Sequence, residues 1–288
     1  MTPSPDSRLH LRGVSYAYPT GQQVLDDIDL DIAPGSLTLV CGASGSGKST
    51  MLRLLNGLIP HFHDGKLTGR VVIDDQEVSS VPIERSGLRT ATVFQNPASQ
   101  FFTTTVSDEL AFAPQNYQVP AQEIRRRRAD ALEELGITDL AGRDLRGLSG
   151  GQTQKVACAQ ALAQRTPVIL LDEPTSNLDP RAIDDVRATI GRLKAAGRTL
   201  VVAEHRIYFL RGLVDEVDRL VGEETIRDVA VRQLSGRLDR GVRDDDAVVR
   251  LVAVAQALED LHRLVDAGLL DLHGLEAALQ GRVLLDVL

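Results

Sequence analysis

The spacing of apolar residues along the chain predicts several short strands. Leu9–Tyr16 and Val24–Ile32 are separated by the turn sequence Tyr18-Pro-Thr-Gly21, which is typical of two neighbouring strands. Apolar or alternating segments of strand length recur further along the chain, at Ser36–Cys41, 69–78, Val168–Leu171 and Thr199–Ala203.

Other segments have helical spacing. One stripe follows the third strand and is formed by Met51, Leu54, Leu55 and Leu58. Residues from about 97 to 166 have a helical composition, and a further helix separates the last two strands. The clearest helical segments are Arg125–Gly136, Gly151–Ala163 and Arg181–Ala195. Because strands alternate with helices, the pattern predicts an α/β fold with a mostly parallel sheet.

The two ends of the chain differ from its centre. Residues 1–8 are polar and contain proline, so we expect a disordered tail before a domain over residues 9–224. From residue 225 to 288 a small helical extension is expected, because apolar residues from Val248 to Val265 share one helical stripe and a shorter helix is predicted at Leu275–Gln280. Throughout, apolar windows stay short of the ~20 residues that span a bilayer.

Net charge and cysteine content disfavour or exclude several classes of function. The 288 residues carry a net charge of −8, which disfavours sequence-independent binding to nucleic acid or anionic lipid. Cys41 and Cys158 are the only cysteines and are far apart, which excludes a disulfide-stapled secreted domain and fits a reducing cytosol. The basic run Arg125–Arg128 is surrounded by acidic residues, so it indicates a solvated helix face with ion pairs.

The strongest chemical motif lies between the third strand and the first helix. It matches the pattern G-x4-G-K-[ST], in which glycines let backbone N–H groups turn toward a polyphosphate. Lys48 would reach the outer phosphates and Ser49 would bind Mg²⁺. The residues that would bind nucleotide are Gly42, Ser44, Gly45, Ser46, Gly47, Lys48, Ser49 and Thr50.

Two acidic residues end the strand Val168–Leu171. Asp172 would hold Mg²⁺ beside the phosphate loop, and Glu173 would polarise an attacking water. Hydrophobic strands that end in acidic residues are common, so this pattern alone is weak evidence for a nucleotide site. Together with the phosphate loop upstream it becomes strong evidence.

A third motif, Leu148-Ser149-Gly150-Gly151-Gln152, opens a helix. A serine and two glycines at a helix N-terminus form an anion-binding surface. One active site does not need two such surfaces, so the segment would close over the nucleotide of a second copy. Taken alone, the segment is also explained as an N-capped helix after a glycine turn.

Together these motifs resemble the nucleotide-binding subunit of an ATP-binding-cassette (ABC) transporter, over roughly residues 9–222. The resemblance implies a P-loop NTPase cassette with a RecA-like core, an antiparallel β subdomain and an α-helical subdomain near 97–166. The same resemblance implies that the C-terminal extension at 225–288 helps to hold the dimer together. It also implies roles for further residues. Tyr18 would stack on adenine, with Tyr16 as the alternative aromatic, and Gln95 would contact Mg²⁺ and water. Ser176–Asp179 would cross the dimer interface, and His205 would contact the γ-phosphate.

The resemblance further implies a head-to-tail dimer that binds ATP and Mg²⁺ between two cassettes. Catalysis would use Glu173, His205, Lys48 and Gln95, and the metal would be held by Ser49, Gln95 and Asp172. Beyond the phosphate loop, nucleotide would be contacted by Tyr18 and, from the other cassette, by Ser149, Gly150, Gly151, Gln152 and Asp179.

Three segments are similar to the energy-coupling-factor (ECF) and cobalt/nickel-type importer ATPases. These are Leu55–Pro60, the region from Gln95 to Phe112, and Glu204-His205-Arg206, where many other cassettes carry a threonine before the histidine. The expected role is to power uptake of a vitamin or a transition metal. The alternative is the ATPase of an ordinary binding-protein-dependent importer.

Partners follow from that resemblance. We expect a second ABC ATPase (the same chain or a paralogue), an EcfT-like transmembrane coupling protein and a substrate-capture membrane subunit, without nucleic acid. The chain would lie peripherally on the cytoplasmic face of the cell membrane. Phe94, Phe101 and Phe102 would line a groove behind Gln95 where the coupling protein docks, or would pack the helical subdomain against the sheet.

Overall fold

The computed structural model describes residues 9–42, 44–176, 178–206 and 208–219. The predicted tail at 1–8 and the predicted extension at 225–288 lie outside these described residues. Within the described ranges, no helix combines the length and apolar character that crossing a bilayer requires.

An antiparallel sheet forms the first layer, with its strands in the order β2-β1-β4-β5. The segment 69–78, predicted to be a hairpin strand, lies in a hairpin of two strands that begins earlier, at Lys66. Asp74 and Asp75 have positive φ angles of 48° and 63°, and such a residue pair makes the tight turn that reverses the chain. The strands are β1 (Leu9–Ala17), β2 (Gln23–Ile32), β4 (Lys66–Ile73) and β5 (Gln76–Glu77).

A five-stranded sheet forms the second layer, in the order β6-β7-β8-β3-β9, and its described pairs are parallel. Its central strands are apolar at successive positions because both faces are covered. In β7, Val168 and Leu170 face one hydrophobic cluster, whereas Ile169 and Leu171 face another. The strands are β3 (Leu37–Cys41), β6 (Thr90–Val93), β7 (Val168–Asp172), β8 (Thr199–Ala203) and β9 (Glu216–Arg219).

Helices cover both faces of the parallel sheet. Helix α1 and the antiparallel sheet pack on one face, and α4 to α7 contribute to the cluster on the other. The helices are α1 (Lys48–Leu55), α2 (Leu58–His61), α3 (Ile83–Ser86), α4 (Val106–Asn116), α5 (Ala121–Glu134), α6 (Gly150–Gln164) and α7 (Pro180–Ala195).

The basic run on α5 forms ion pairs as predicted. Arg126 and Arg127 pair with Glu123 at 2.8 Å and 2.9 Å, and Arg165 at the end of α6 joins Glu123 at 3.2 Å. The hydrogen bonds from Arg126 and Arg127 lower the pKa of the half-buried Glu123 to about 2. This charge cluster therefore stays ionised at neutral pH and links two helices of the helical layer.

Candidate active site

Four loops meet at the carboxyl end of the parallel sheet, where ligands bind in open α/β folds. The register places Val93 beside Leu171, and Ala203 beside both Val40 and Asp172. The phosphate loop, Gln95, Glu173 and His205 follow directly from these strand ends, so the sequence-predicted residues of four separate segments converge.

The phosphate loop depends on two glycines in the left-handed region. Gly45 has φ +82° and Gly47 has φ +96°, and Gly47 caps the N-terminus of α1. A Cβ on Gly47 would lie 2.9 Å from the Val24 carbonyl oxygen, so the position accepts no side chain without movement. The buried Lys48 Nζ donates to the Gly42 carbonyl oxygen at 2.9 Å, which closes the loop on itself.

One polar group in this loop fits an anion. The Ser46 hydroxyl is buried and has no hydrogen-bond partner among the described residues. Buried polar groups normally have a partner, and a phosphate oxygen would accept this hydrogen bond beside the N-terminus of α1. The loop therefore fits a polyphosphate.

Ser49 and Asp172 form a pair suited to a divalent cation. Ser49 Oγ donates to Asp172 Oδ1 at 3.0 Å, although the two residues are far apart in sequence. Burial raises the pKa of the Asp172 carboxyl and the neighbouring Glu173 adds to this, whereas the Ser49 hydrogen bond lowers it. A hydroxyl and a carboxylate are oxygen ligands that Mg²⁺ accepts, and its charge would favour the ionised form of Asp172.

Glu173 lies at the centre of the four residues predicted to be catalytic. Its backbone has a positive φ of 45°, and its N–H donates to the Ala203 carbonyl oxygen at 2.8 Å. Gln95 Nε2 donates to Glu173 Oε2 at 2.8 Å. Lys48 Nζ is 4.0 Å and His205 Nδ1 is 3.7 Å from Glu173 Oε1. The structure thus brings Lys48, Gln95, Glu173 and His205 together.

The two aromatic candidates for adenine have different environments. Tyr16 is buried and donates its hydroxyl to the Asp64 carbonyl oxygen at 2.9 Å, so its ring belongs to the core. Tyr18 is half-buried beside the phosphate loop, and its hydroxyl is 3.1 Å from Thr50 Oγ1 and accepts from Arg53 Nη1 at 3.0 Å. Burial therefore leaves Tyr18 as the aromatic side chain placed to reach a base.

The Ser149–Gln152 segment forms a capping box at the start of α6. Ser149 Oγ accepts from the Gln152 N–H at 3.4 Å, and the Gln152 side chain accepts from the Ser149 N–H at 3.0 Å. Asp179 likewise caps α7, accepting from the N–H groups of Arg181 and Ala182. The N-termini of α6 and α7 are thus each capped by a side chain of their own segment. For Ser149–Gln152 this agrees with the explanation that the segment is an N-capped helix after a glycine turn. It leaves the backbone at the start of α6 compatible with an anion.

A groove of about 350 Å³ lies behind Gln95, between the parallel sheet and α4 and α6. Phe94 and Phe102 line it, as predicted, and Phe102 stacks on Phe112 with ring centroids 4.9 Å apart. Phe101 was expected in the same lining, but it is partly buried and packs against the main hydrophobic cluster. Phe101 therefore packs against the core, whereas Phe94 and Phe102 face the groove.

Two glutamates that are fully buried and accept several hydrogen bonds were not predicted from the sequence. Glu109 and Glu204 are each 0% exposed. Glu109 shares a helical stripe with Val106 and Leu110, so an acid on an apolar face was a signal that could have identified it. Glu204 was identified from the sequence only through the similarity of Glu204-His205-Arg206 to ECF-type ATPases. Its position directly after the buried strand β8 was a further signal of burial.

These features define a P-loop nucleotide-binding domain with an ABC-type arrangement of sheet, antiparallel layer and helical layer. A family model described as ABC transporter matches residues 25–176, more than half of the chain. The chain belongs to the ABC transporter family, and the predicted ABC ATPase fold is confirmed over the described residues.

Several curated relatives are provisionally named ABC transporter ATP-binding proteins. One from Treponema denticola is 39% identical over 210 residues, which are 73% of this chain and 43% of the relative. Another from Methanosarcina acetivorans is 36% identical over 221 residues, 75% of this chain and 36% of the relative. The chain thus spans less than half the length of these relatives.

A solved structure matches over most of the length of both chains. CbiO1 from Clostridium perfringens, described as part of the ABC transporter complex CbiONQ, superposes with a TM-score of 0.68 and 29% identity. The match covers 82% of this chain and 97% of CbiO1.

Proposed function

We propose that this chain is the ATP-binding and ATP-hydrolysing subunit of a membrane importer. The observation that carries the proposal is the position of Glu173, which contacts Gln95 and lies within 4.0 Å of both Lys48 and His205. A carboxylate held beside a phosphate loop by these side chains is placed to act as general base for an attacking water.

The phosphate-binding residues Gly42 to Thr50 would hold ATP, with Lys48 neutralising charge on its outer phosphates. Mg²⁺ would be held by Ser49, Asp172 and Gln95. When bound, the ion supplies positive charge that stabilises charge developing on the phosphate oxygens. His205 would donate to the transferring phosphoryl group, while Glu173 takes a proton from water.

A second ATPase, the same chain or a paralogue, completes the proposed site. Within one chain, the described side-chain hydrogen bonds of the predicted partner-facing residues stay at the starts of α6 and α7 and do not reach the phosphate loop. These residues are Ser149, Gly150, Gly151, Gln152 and Asp179. The capped N-terminus of α6 presents backbone N–H groups that would close over the nucleotide of the partner. ATP would then hold the dimer together and hydrolysis would release it.

We assign the importer to the ECF type, for a vitamin or a transition metal. Two observations support this: the three resembling segments in the sequence, and the similarity to CbiO1, which is part of an ABC transporter complex and is matched over 97% of its length. An EcfT-like coupling protein would dock in the groove lined by Phe94 and Phe102, at the cytoplasmic face of the membrane, with a capture subunit beside it.

The decisive test is Glu173→Gln in the purified full chain. The amide keeps the shape of the side chain but cannot accept a proton from water, so we expect ATP turnover to fall by about 100-fold or more while ATP binding persists. ATP should also trap a stable dimer, measured by size-exclusion chromatography with light scattering. Hydrolysis at the wild-type rate would show that Glu173 is not the base.

A further inference from the structure

A buried carboxylate sits behind the catalytic residues and has no role in the mechanism so far. Glu204 follows β8 directly and its side chain is 0% exposed. Burying a charge is costly unless hydrogen bonds compensate for the lost water. Four donors surround this carboxylate, and they come from two different loops.

Each oxygen of Glu204 serves one loop. Oε2 accepts from the Thr175 hydroxyl at 2.7 Å and from the Thr175 N–H at 3.3 Å. Oε1 accepts from the N–H groups of His205 at 2.8 Å and Arg206 at 3.1 Å. The side chain therefore acts as a bridge, with one acceptor oxygen at each end that accepts two hydrogen bonds.

Both bridged loops carry residues of the proposed catalytic site. Thr175 lies two residues after Glu173 and just before Ser176, whose hydroxyl accepts from Gln95 Nε2 at 3.2 Å. On the other side, His205 Nδ1 lies 3.4 Å from Glu204 Oε1. The same bridge thus holds the segment after Glu173, the proposed base, and the backbone of His205, the residue proposed to contact phosphate.

We propose that Glu204 is a positioning residue for ATP hydrolysis, which sets the placement of His205 relative to Glu173. This inference rests on the proposed function. A shorter side chain with a single oxygen, such as threonine, could not accept from two N–H groups on one loop and from two donors on the other. Glutamate joins both loops with one side chain.

The first test is Glu204→Gln in the purified full chain. Glutamine has one acceptor oxygen, and its NH₂ group would face the N–H donors of one loop, so that loop must shift. We expect kcat to fall by about tenfold or more, because small misplacements of reacting groups are costly. The Kd for a fluorescent ATP analogue and the KM for ATP should stay within about twofold, because the phosphate loop does not contact Glu204 in the bonds described. Rates are expressed per bound nucleotide, which corrects for any misfolded fraction.

Thr175 provides a matched pair of variants for the opposite end of the bridge. Thr175→Val keeps the shape but removes the 2.7 Å hydrogen bond, so kcat should fall in the same direction. Thr175→Ser retains a hydroxyl and should keep kcat within about threefold of wild type. Thr189→Val removes another buried threonine hydroxyl, which donates to the Asp185 carbonyl oxygen on α7, and should leave kcat unchanged.

The outcomes separate this inference from the proposed function. If the wild-type chain hydrolyses ATP and Glu173→Gln does not, then wild-type kcat in Glu204→Gln overturns the positioning role alone. A loss of ATP binding with unchanged kcat would also overturn it. Should Glu204→Gln fail to fold, the threonine pair decides, and equal kcat values in Thr175→Val and Thr175→Ser would overturn the inference. A wild-type chain without ATPase activity would instead refute the proposed function.

Discussion

Gly45 and Gly47 of the phosphate loop share a left-handed backbone but have different surroundings. A Cβ on Gly45 would meet nothing within 4 Å, whereas one on Gly47 would lie 2.9 Å from both the Val24 carbonyl oxygen and Leu25 Cδ2. Alanine at either position suffers the backbone strain of positive φ, about 1–2 kcal/mol. At Gly47 it also pushes against a backbone atom that cannot rotate away.

We therefore expect Gly47→Ala to lower the free energy of unfolding by roughly 3 kcal/mol or more, and Gly45→Ala by about 1–2 kcal/mol. Urea titration without nucleotide measures both values, so nucleotide binding does not enter the comparison. Equal losses in the two variants would contradict the predicted clash at Gly47.

At the scale of single residues, contacts between recognised motifs were predictable, and long-range contacts outside those motifs were not. Lys48, Ser49 and Asp172 follow from two short patterns, and the structure places them together. Tyr18 was predicted from the resemblance, but the sequence left Tyr16 as an alternative because both lie near the end of one strand. Only the packed structure shows that Tyr16 is buried and bonded to Asp64. The bridge from Glu204 to Thr175 spans 29 positions, and no local pattern reports such a contact.

A chain of polar side chains connects the elements around the groove. The Phe94 N–H, after β6, donates to Gln100 Oε1 at 3.0 Å, and Gln100 Nε2 donates to Gln160 Oε1 on α6 at 2.8 Å. Gln160 Nε2 then donates to Glu109 Oε1 on α4 at 2.8 Å. Glu109 Oε2 accepts from the Phe102 N–H and from both the N–H and the hydroxyl of Thr103. This buried carboxylate therefore joins two helices and the groove-lining segment.

We predict that Glu109→Ala lowers the free energy of unfolding by about 3 kcal/mol, because several buried donors lose their acceptor together. Gln115→Ala is the control: it lies on the same helix but is exposed, so its effect should stay within about 0.5 kcal/mol. Urea unfolding of both variants measures the difference. Similar stabilities would show that Glu109 contributes little to this junction.

Elements with strong patterns were predictable, and the short edge strands were not. The buried strands Val168–Asp172 and Thr199–Ala203 and the amphipathic helix Pro180–Ala195 lie within one residue of their predicted bounds. In contrast, β6 (Thr90–Val93) and β9 (Glu216–Arg219) have four residues each and mix polar with apolar positions. Pairing with β7 and β3 stabilises them, and that pairing is a property of the assembled sheet.

At the scale of the whole molecule, the groove and the nucleotide site share one segment. Gln95 contacts Glu173, and its neighbour Phe94 lines the groove, so a partner seated there would press directly on the catalytic loop. Phe102 is 74% exposed at this groove, and such a large apolar side chain in contact with water is typical of a protein interface. Under the proposed function, a membrane partner in this groove would be coupled to the nucleotide site through Phe94 and Gln95.

Phe102→Asp tests whether that surface is the docking site. A charge in an apolar contact must lose its water on binding, so we expect the tagged chain to lose its membrane coupling protein in an affinity pull-down from native membranes. ATP binding by the purified variant should remain unchanged, because Phe102 does not contact the phosphate loop in the bonds described. Phe62→Asp is a matched control, since Phe62 is 70% exposed and does not line the groove. Retention of the coupling protein by Phe102→Asp, or equal loss in both variants, would place the docking surface elsewhere and leave Phe102 without a part in coupling.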